Sequence, residues 1–264
     1  MHEASYDDTP KFGLPPIHRV TFAMLGTALR RAVRDMIRAP FYGILFALPY
    51  VLIGWGLGWI TWTTGQSYWL IFAAVSFPLI GPFAAVGLYE VSRRIEIGRP
   101  LVLSEILTVI TRQGGRQLPS LCAIIVFLFL VWFFIGHMIF ALFMGFSTMT
   151  NVSSSFEVFL TPNGLAMLTV GTIVGAGFAL LLYMITVIAL PLLLDREVDF
   201  VTAMIVSFTT VTVNPVPMLA WAAFIVVVTF VAMIPFFLGL FIALPLLGHA
   251  TWHLYDQVAG EGTQ

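Results

Sequence analysis

The chain has 264 residues, of which 59% are hydrophobic and only 9% are charged. Soluble domains carry roughly 25% charged residues, so this composition excludes an ordinary soluble domain and indicates a chain solvated by lipid. The formal net charge of -1 conceals an asymmetry, because all twelve lysines and arginines lie in Lys11–Arg38, Arg93–Arg116 and Arg196. Cytoplasmic loops of membrane proteins retain Lys and Arg, so these three segments are predicted to mark the cytoplasmic face.

Six apolar stretches are long enough to cross a membrane, at about 20 residues per crossing. They cover residues 41–62, 67–89, 119–144, 165–194, 217–234 and 235–255. We therefore predict an all-α fold, a polytopic transmembrane bundle of three hairpins with both termini in the cytoplasm. Residues 216–247 are apolar without a break, so one tilted span followed by an interfacial segment is the alternative to a hairpin that turns at Ile234-Pro235.

Residues 1–19 are predicted to be a flexible cytoplasmic N-terminus, residues 20–256 a single integral membrane domain, and residues 257–264 a C-terminal tail. An amphipathic cytoplasmic helix precedes each pair of spans, which suggests repeats over 20–98, 99–198 and 199–256. The second of these helices has Ser104 as its predicted N-cap. The third begins at Asp199 and is stopped by Asn214-Pro215. A chance match is the alternative in a chain so rich in Leu and Pro.

The first amphipathic helix is predicted over residues 21–38. Its apolar face comprises Phe22, Leu25, Leu29, Val33 and Met36, and its other faces carry Arg30, Arg31, Arg34 and Arg38. A helix with this pattern lies in the membrane plane, with its arginines on lipid headgroups. The apolar stripe favours anionic lipids over nucleic acid as the partner of these arginines.

Four segments resemble the hallmark sequences of an uncharacterised bacterial integral membrane protein family, domain of unknown function 2189. They are GPFAAVGLYEVSRR at 81–94, PLLLDR at 191–196, NPVP at 214–217 and LGHATWHLY at 247–255. The resemblance extends over residues 20–256. It implies a multi-span protein of the bacterial cytoplasmic (inner) membrane without an assigned reaction.

His249 and His253 are the strongest candidates for chemistry, because two histidines four residues apart share one helix face and can chelate a metal ion or a haem. In a helix that begins at Pro235 they lie about 21 and 27 Å along the axis, near the cytoplasmic surface. Glu90 and Asp195, at the same ends of the second and fourth spans, would complete a metal site. The reading we favour is that both histidines bond backbone carbonyls or lipid phosphates, with no cofactor. His137 is predicted to be interfacial on the outer side.

Gly171, Gly175 and Ala179 form a small-residue stripe on the fourth span, which predicts close helix packing within the chain or, alternatively, a homodimer face. An outer interfacial belt is predicted from Trp55, Trp59, Trp62, Tyr68 and Trp69. A cavity lined by Thr172, Tyr183 and Thr186 would indicate transport.

The spans contain no ionisable residue at mid-membrane, which weakens the case for an ion-coupled carrier. The sequence favours a non-enzymatic accessory, scaffold or assembly component whose partners are membrane lipids and another membrane protein complex. A carrier or channel for an uncharged or lipophilic solute is the first alternative. A metal- or haem-binding membrane protein is the second. The sequence does not determine the oligomeric state.

Overall fold

The computed structural model describes residues 11–64, 70–145 and 159–260, and it describes no side chains for residues 11 and 70–80. The regular secondary structure of the described chain is helical except for two short paired strands, which agrees with the predicted all-α class. The helices are α1 (Phe22–Arg38), α2 (Pro40–Thr64), α3 (Leu70–Glu96), α4 (Leu103–Gly114), α5 (Leu118–Met144), α6 (Pro162–Thr186), α7 (Ala189–Asp195), α8 (Phe200–Val213), α9 (Pro215–Met233) and α10 (Leu240–Ala259). Strands β1 (Lys11–Phe12) and β2 (Arg196–Glu197) pair in parallel.

Four helical segments are long and apolar enough to cross a membrane: Pro40–Thr64, Leu118–Met144, Pro162–Asp195 and Pro215–Met233. Only 17 to 22% of the residues in their apolar windows are buried inside the chain. Helix α10 is not among the four, because its second half carries polar residues such as His249 and Asp256. The first side chains of α3 lie outside the described set.

Side-chain caps set several helix ends where the sequence predicts them. The Thr21 side chain accepts a hydrogen bond from Met24 N at the start of α1, and the Asp199 side chain accepts one from Thr202 N at the start of α8. Helix α4 departs from the prediction, because it begins at Leu103 and no side chain caps it. Ser104 is therefore a residue of the first turn and not the N-cap.

A turn separates α9 from α10 close to the predicted Ile234-Pro235 position. Helix α9 ends at Met233, and Phe236 and Phe237 adopt positive φ angles of 50° and 65° before α10 begins at Leu240. Helix α10 packs against α9, so the apolar run 216–247 is not one continuous helix. On α2, the Trp55 indole donates a hydrogen bond to Phe236 O at 2.7 Å and holds this turn.

Helix α10 has neighbours along its whole length. Helix α2 lies along its first half, where a Cβ on Gly43 would come within 3.0 Å of Pro245. Helix α1 packs against its second half in the antiparallel sense, with Asp35 beside His253 and Arg31 beside Asp256. Helices α1 and α2 therefore pack one after the other along α10.

The described N-terminal segment packs on the C-terminal end of α10. His18 N donates to Val258 O at 2.9 Å, and the His18 ring Nε2 lies 2.9 Å from Gly260 O. Residues predicted to be flexible are thus tied down from Lys11 onward, by these bonds and by the pairing of β1 with β2. The predicted tail also begins later than residue 257, because α10 continues to Ala259. Both ends of the described chain lie at one end of the bundle.

Candidate functional site

The second half of α10 presents two fully buried histidines on one face. His249 and His253 are both 0% exposed, because α1 and α3 cover them. His253 Nε2 lies 2.6 Å from Asp35 Oδ2 on α1, and its Nδ1 lies 3.0 Å from Glu96 Oε1 at the end of α3. One imidazole ring therefore bridges three helices.

Hydrogen-bond chemistry fixes the charge of His253 in this arrangement. Ionised carboxylates accept hydrogen bonds and cannot donate them. Both ring nitrogens of His253 face a carboxylate oxygen, so both must carry a proton for the two bonds to form. His253 is then an imidazolium between Asp35 and Glu96, and its bonds are of the strong, charge-assisted kind.

Glu96 receives two further donors from the surrounding helices. The Trp252 indole donates to Glu96 Oε2 at 2.9 Å, and Arg31 Nη1 lies 3.3 Å from Glu96 Oε1. Arg31 also lies 3.5 Å from Asp256 Oδ2, at the half-exposed edge of the cluster. Ion pairs therefore continue from the buried His253 to the protein surface.

His249 occupies the inner end of the cluster. Its Nδ1 lies 2.7 Å from Ser92 Oγ on α3. Two polar atoms of the cluster, His249 Nε2 and Asp35 Oδ1, are buried and have no hydrogen-bond partner in the described part of the chain.

The two carboxylates titrate below their usual range. Burial raises the pKa of Asp35, but the hydrogen bond and positive charge of His253, with a smaller effect from Ser92, more than offset it, so that the pKa is lowered. Burial also raises the pKa of Glu96, and the hydrogen bonds of His253 and Trp252 together with the His253 and Arg31 charges lower it further than burial raises it. Both groups are therefore ionised at neutral pH.

The structure does not gather the predicted metal ligands. Glu90 binds Arg94 Nε at 2.7 Å and Arg93 Nη1 at 3.1 Å, while Asp195 accepts a hydrogen bond from Tyr255 at 2.8 Å. Neither carboxylate pairs with His249 or His253, because each is already held by a neighbour of its own. Within residues 11–64, 70–145 and 159–260, no group of three or more His, Cys, Asp or Glu side chains is arranged to hold a metal ion.

Asp35 and Glu96 are the acids that contact His253, and neither is among the site residues predicted from the sequence. A local signal for Asp35 exists: it lies on the same helix face as Leu25, Ala28 and Ala32, and all four are buried. Small alanines let α10 approach closely, and an acid on such a face requires a cationic partner. The sequence gives no comparable signal that His253 is this partner, because His253 lies 218 positions away from Asp35.

The predicted apolar stripe of α1 divides between two environments. Leu25 is buried in the protein core, whereas Phe22 and Val33 are exposed. Among the predicted headgroup contacts, Arg31 is instead paired with Glu96 and Asp256. Arg30, Arg34 and Arg38 remain exposed. The buried face of α1 is thus the one that carries Asp35, because α10 and not lipid covers it.

The small-residue stripe of α6 is a packing site at one position only. A Cβ on Gly175 would lie 3.2 Å from the Trp132 indole nitrogen of α5. Gly171 has no atom within 4 Å of that position, and Ala179 is exposed. The described part of the chain therefore shows a close packing contact at Gly175 and none at Gly171. The alternative, a homodimer face along this stripe, stays a prediction.

The polar groups proposed for a transport cavity do not face a common space. Thr172 is exposed, Tyr183 donates to Met218 O at 2.7 Å, and Thr186 donates to Leu182 O in its own helix. His137 is exposed, with its Nδ1 2.9 Å from Phe133 O one turn earlier, and so bonds a backbone carbonyl. In the predicted aromatic belt, Trp55, Trp59 and Trp62 are exposed at the end of α2, while Tyr68 and Trp69 lie outside the described residues.

A family model described as a predicted integral membrane protein (DUF2189) matches residues 70–195. The match agrees with the resemblance seen in the sequence over α3 to α7, and the family that it describes is one of predicted integral membrane proteins. Searches of curated proteins and of solved structures found no match. Asp35, His249 and His253 lie outside the matched region, whereas Ser92 and Glu96 lie within it.

Proposed function

We propose that this integral membrane protein is a non-enzymatic accessory or scaffold component, which binds other membrane proteins through the outer faces of its apolar helices. The observation that carries the proposal is the small buried fraction of the candidate spans, 17 to 22% of each apolar window. Side chains such as Phe134 on α5 and Ile173 on α6 are 69% and 67% exposed. The chain thus offers a large apolar surface to lipid or to a protein partner.

The arrangement of the ionisable groups supports a structural role. Glu90 is held by Arg94, Asp195 by Tyr255, and Arg116 by Glu197. The Asp35–His253–Glu96 cluster fastens three helices together in the same way. Groups that a catalyst would expose to a substrate are here engaged in holding one end of the bundle, which makes it a rigid base for the exposed helices.

We further propose six crossings, made by α2, α3, α5, α6, α9 and α10, with both ends in the cytoplasm of a bacterial inner membrane. Contacts of His18 with Val258 and Gly260 support an even number of crossings, because they bring the two ends of the chain together. The arginines of α1, Arg116 and Arg196 belong to the same end, which the positive-inside rule assigns to the cytoplasm.

Site-specific photo-crosslinking in the native membrane tests the scaffold. A photoreactive residue replacing Phe134 or Ile173 should capture one and the same membrane protein, and that protein should co-purify in a fixed ratio. Met218, which is 0% exposed on α9, provides the matched control and should give crosslinks only within the chain. Capture of lipid alone at both exposed positions would contradict the proposal.

A further inference from the structure

A groove of about 250 Å³ lies between the N-terminal segment 17–19 and one face of α8. The α8 side of the groove is lined by Ile205, Val206, Thr209, Thr210 and Val213, and its end by Asn214. These positions recur at helical spacing and so form a single face. Ile205 and Val213 are largely exposed, which means that the groove opens on the outside of the bundle and not into its interior.

Hydrogen bonds on both sides of Arg19 fix the other wall of the groove. The Asn214 side chain accepts a bond from Val20 N at 3.1 Å and donates one to Thr210 O at 2.9 Å. On the other side, His18 is bound to Val258 O and its ring lies beside Gly260 O. Hydrogen bonds therefore hold residues 17–19 in place, and this segment presents the Arg19 side chain beside the apolar face of α8.

Arg19 is exposed and makes no hydrogen bond or ion pair with the residues that the structure describes. Arg31, Arg94 and Arg116, at the same end of the molecule, all have carboxylate partners. An unpaired guanidinium beside an apolar groove is complementary to a molecule that has an anionic head and an apolar chain. Guanidinium groups bind phosphate oxygens with two parallel hydrogen bonds, which lysine cannot do.

We propose that this groove binds one anionic phospholipid from the leaflet at this end of the bundle, with its phosphate on Arg19 and part of one acyl chain along α8. The volume is somewhat below the roughly 300 to 1,000 Å³ of pockets that enclose a soluble ligand. It suits a segment of an acyl chain that continues over an exposed surface. Val216, which follows the groove-lining Asn214 by two residues in the chain, is 68% exposed and offers such a surface.

The test is native mass spectrometry of the full-length protein in detergent, titrated with phosphatidylglycerol or with phosphatidylcholine that has the same acyl chains. We expect one phosphatidylglycerol to bind more tightly than the rest and phosphatidylcholine to show no such site. Arg19→Ala should weaken that first affinity about fivefold, the factor that corresponds to ~1 kcal/mol per arginine at an anionic leaflet. Thr209→Trp, which fills the groove, should abolish the tight site.

Arg112→Ala is the matched control, because Arg112 on α4 is also exposed and unpaired among the described residues. It should leave the first affinity unchanged, and all variants should keep the unfolding temperature of the parent protein. Equal weakening by Arg19→Ala and Arg112→Ala would show diffuse charge attraction and overturn the site. Tight binding that survives Thr209→Trp, or competition by soluble glycerol phosphate, would overturn the acyl-chain assignment. Binding of a protein segment or of a second copy of the chain in the groove, in place of lipid, would also overturn the acyl-chain assignment.

Discussion

His253 Nε2 lies 2.6 Å from Asp35 Oδ2, and this contact joins two fully buried side chains that are 218 positions apart in the chain. It fastens α1 to α10, and the second ring nitrogen of His253 adds α3 through Glu96. Asp35 and His253 have no access to water in this position, whereas the Glu96 side chain is 20% exposed. Each therefore depends on the others, and the loss of one partner leaves an uncompensated charge behind.

We expect His253→Ala to lower the free energy of unfolding by about 3 to 5 kcal/mol, the usual effect of breaking a buried ion pair. Chemical denaturation of the detergent-solubilised protein would measure the change. Arg30→Ala serves as the control, since Arg30 is exposed and its one hydrogen bond among the described residues goes to Thr27 of its own helix. It should change stability by less than about 0.5 kcal/mol. The double variant Asp35→Leu, His253→Leu should be more stable than either single variant, and additive losses would contradict the pairing.

The cluster should fail in acid. Both Asp35 and Glu96 have pKa values below their ordinary 3.8 and 4.5, so the unfolded chain binds more protons than the folded one as the pH falls. The stability they contribute is complete above those ordinary values and is lost as the pH drops through the lowered ones. Unfolding temperatures measured from pH 7 down to pH 3 should show this loss, and Glu96→Gln should reduce its size. An unchanged pH profile in Glu96→Gln would count against the cluster.

Gly248 should not tolerate a side chain. A Cβ at this position would lie 2.6 Å from Leu88 Cδ1 of α3, so Gly248→Ala forces the two helices apart and should cost about 1 to 3 kcal/mol. Gly136→Ala on α5 is the control, because no atom lies within 4 Å of its added methyl group. Combining Gly248→Ala with Leu88→Ala should restore part of the stability. A thermal shift assay would rank the three variants.

The two faces of α1 should report different surroundings to a nitroxide spin label. Labels at Phe22 and Val33 should be accessible to dissolved oxygen if these exposed side chains contact lipid, whereas a label at Ala28 faces α10 and should be accessible to neither oxygen nor a water-soluble relaxant. Water-soluble relaxants reaching Phe22 and Val33 would place this face of α1 in the cytoplasm. That result would contradict the in-plane arrangement predicted from the sequence.

Topology is open to direct measurement with fusions after Met149 and after Gln264. Six crossings place position 149 on the periplasmic side and the C-terminus in the cytoplasm, so alkaline phosphatase should be active only at the first position. A cytoplasmic fluorescent reporter should be active only at the second. Activity of the phosphatase at Gln264 would rule out the sixth crossing and separate the two ends of the chain.

Helix ends were predictable where the signal is local. Thr21 and Asp199 cap helices through residues three positions away, and Asn214-Pro215 stops α8 by removing a donor. The ion pair between Glu90 and Arg94 was also predictable, because Arg94 lies one helical turn away on the same helix. Arg94 thus takes the place of the metal ion that Glu90 would bind in the alternative prediction.

The long-range contacts were not predictable in the same way. His249 and His253 stand out in the sequence, but the helix that faces them depends on how α1 packs, and many arrangements would cover the same apolar area. Asp35 and Glu96 are 61 residues apart and meet only because both α1 and α3 run along α10. The periodicity of a helix shows which residues share a face. It does not show which other helix packs against that face.

The pairing of α1 with α10 also sets an order of events during synthesis. Residues leave a ribosome at about 5 to 20 per second, so His253 follows Asp35 after roughly 10 to 40 seconds. Throughout that interval α1 exists without the helix that covers Ala28, Ala32 and Asp35. In the meantime the acid and the apolar face of α1 lack the cover that α10 gives them. Completion of the last helix is therefore the step that closes the fold.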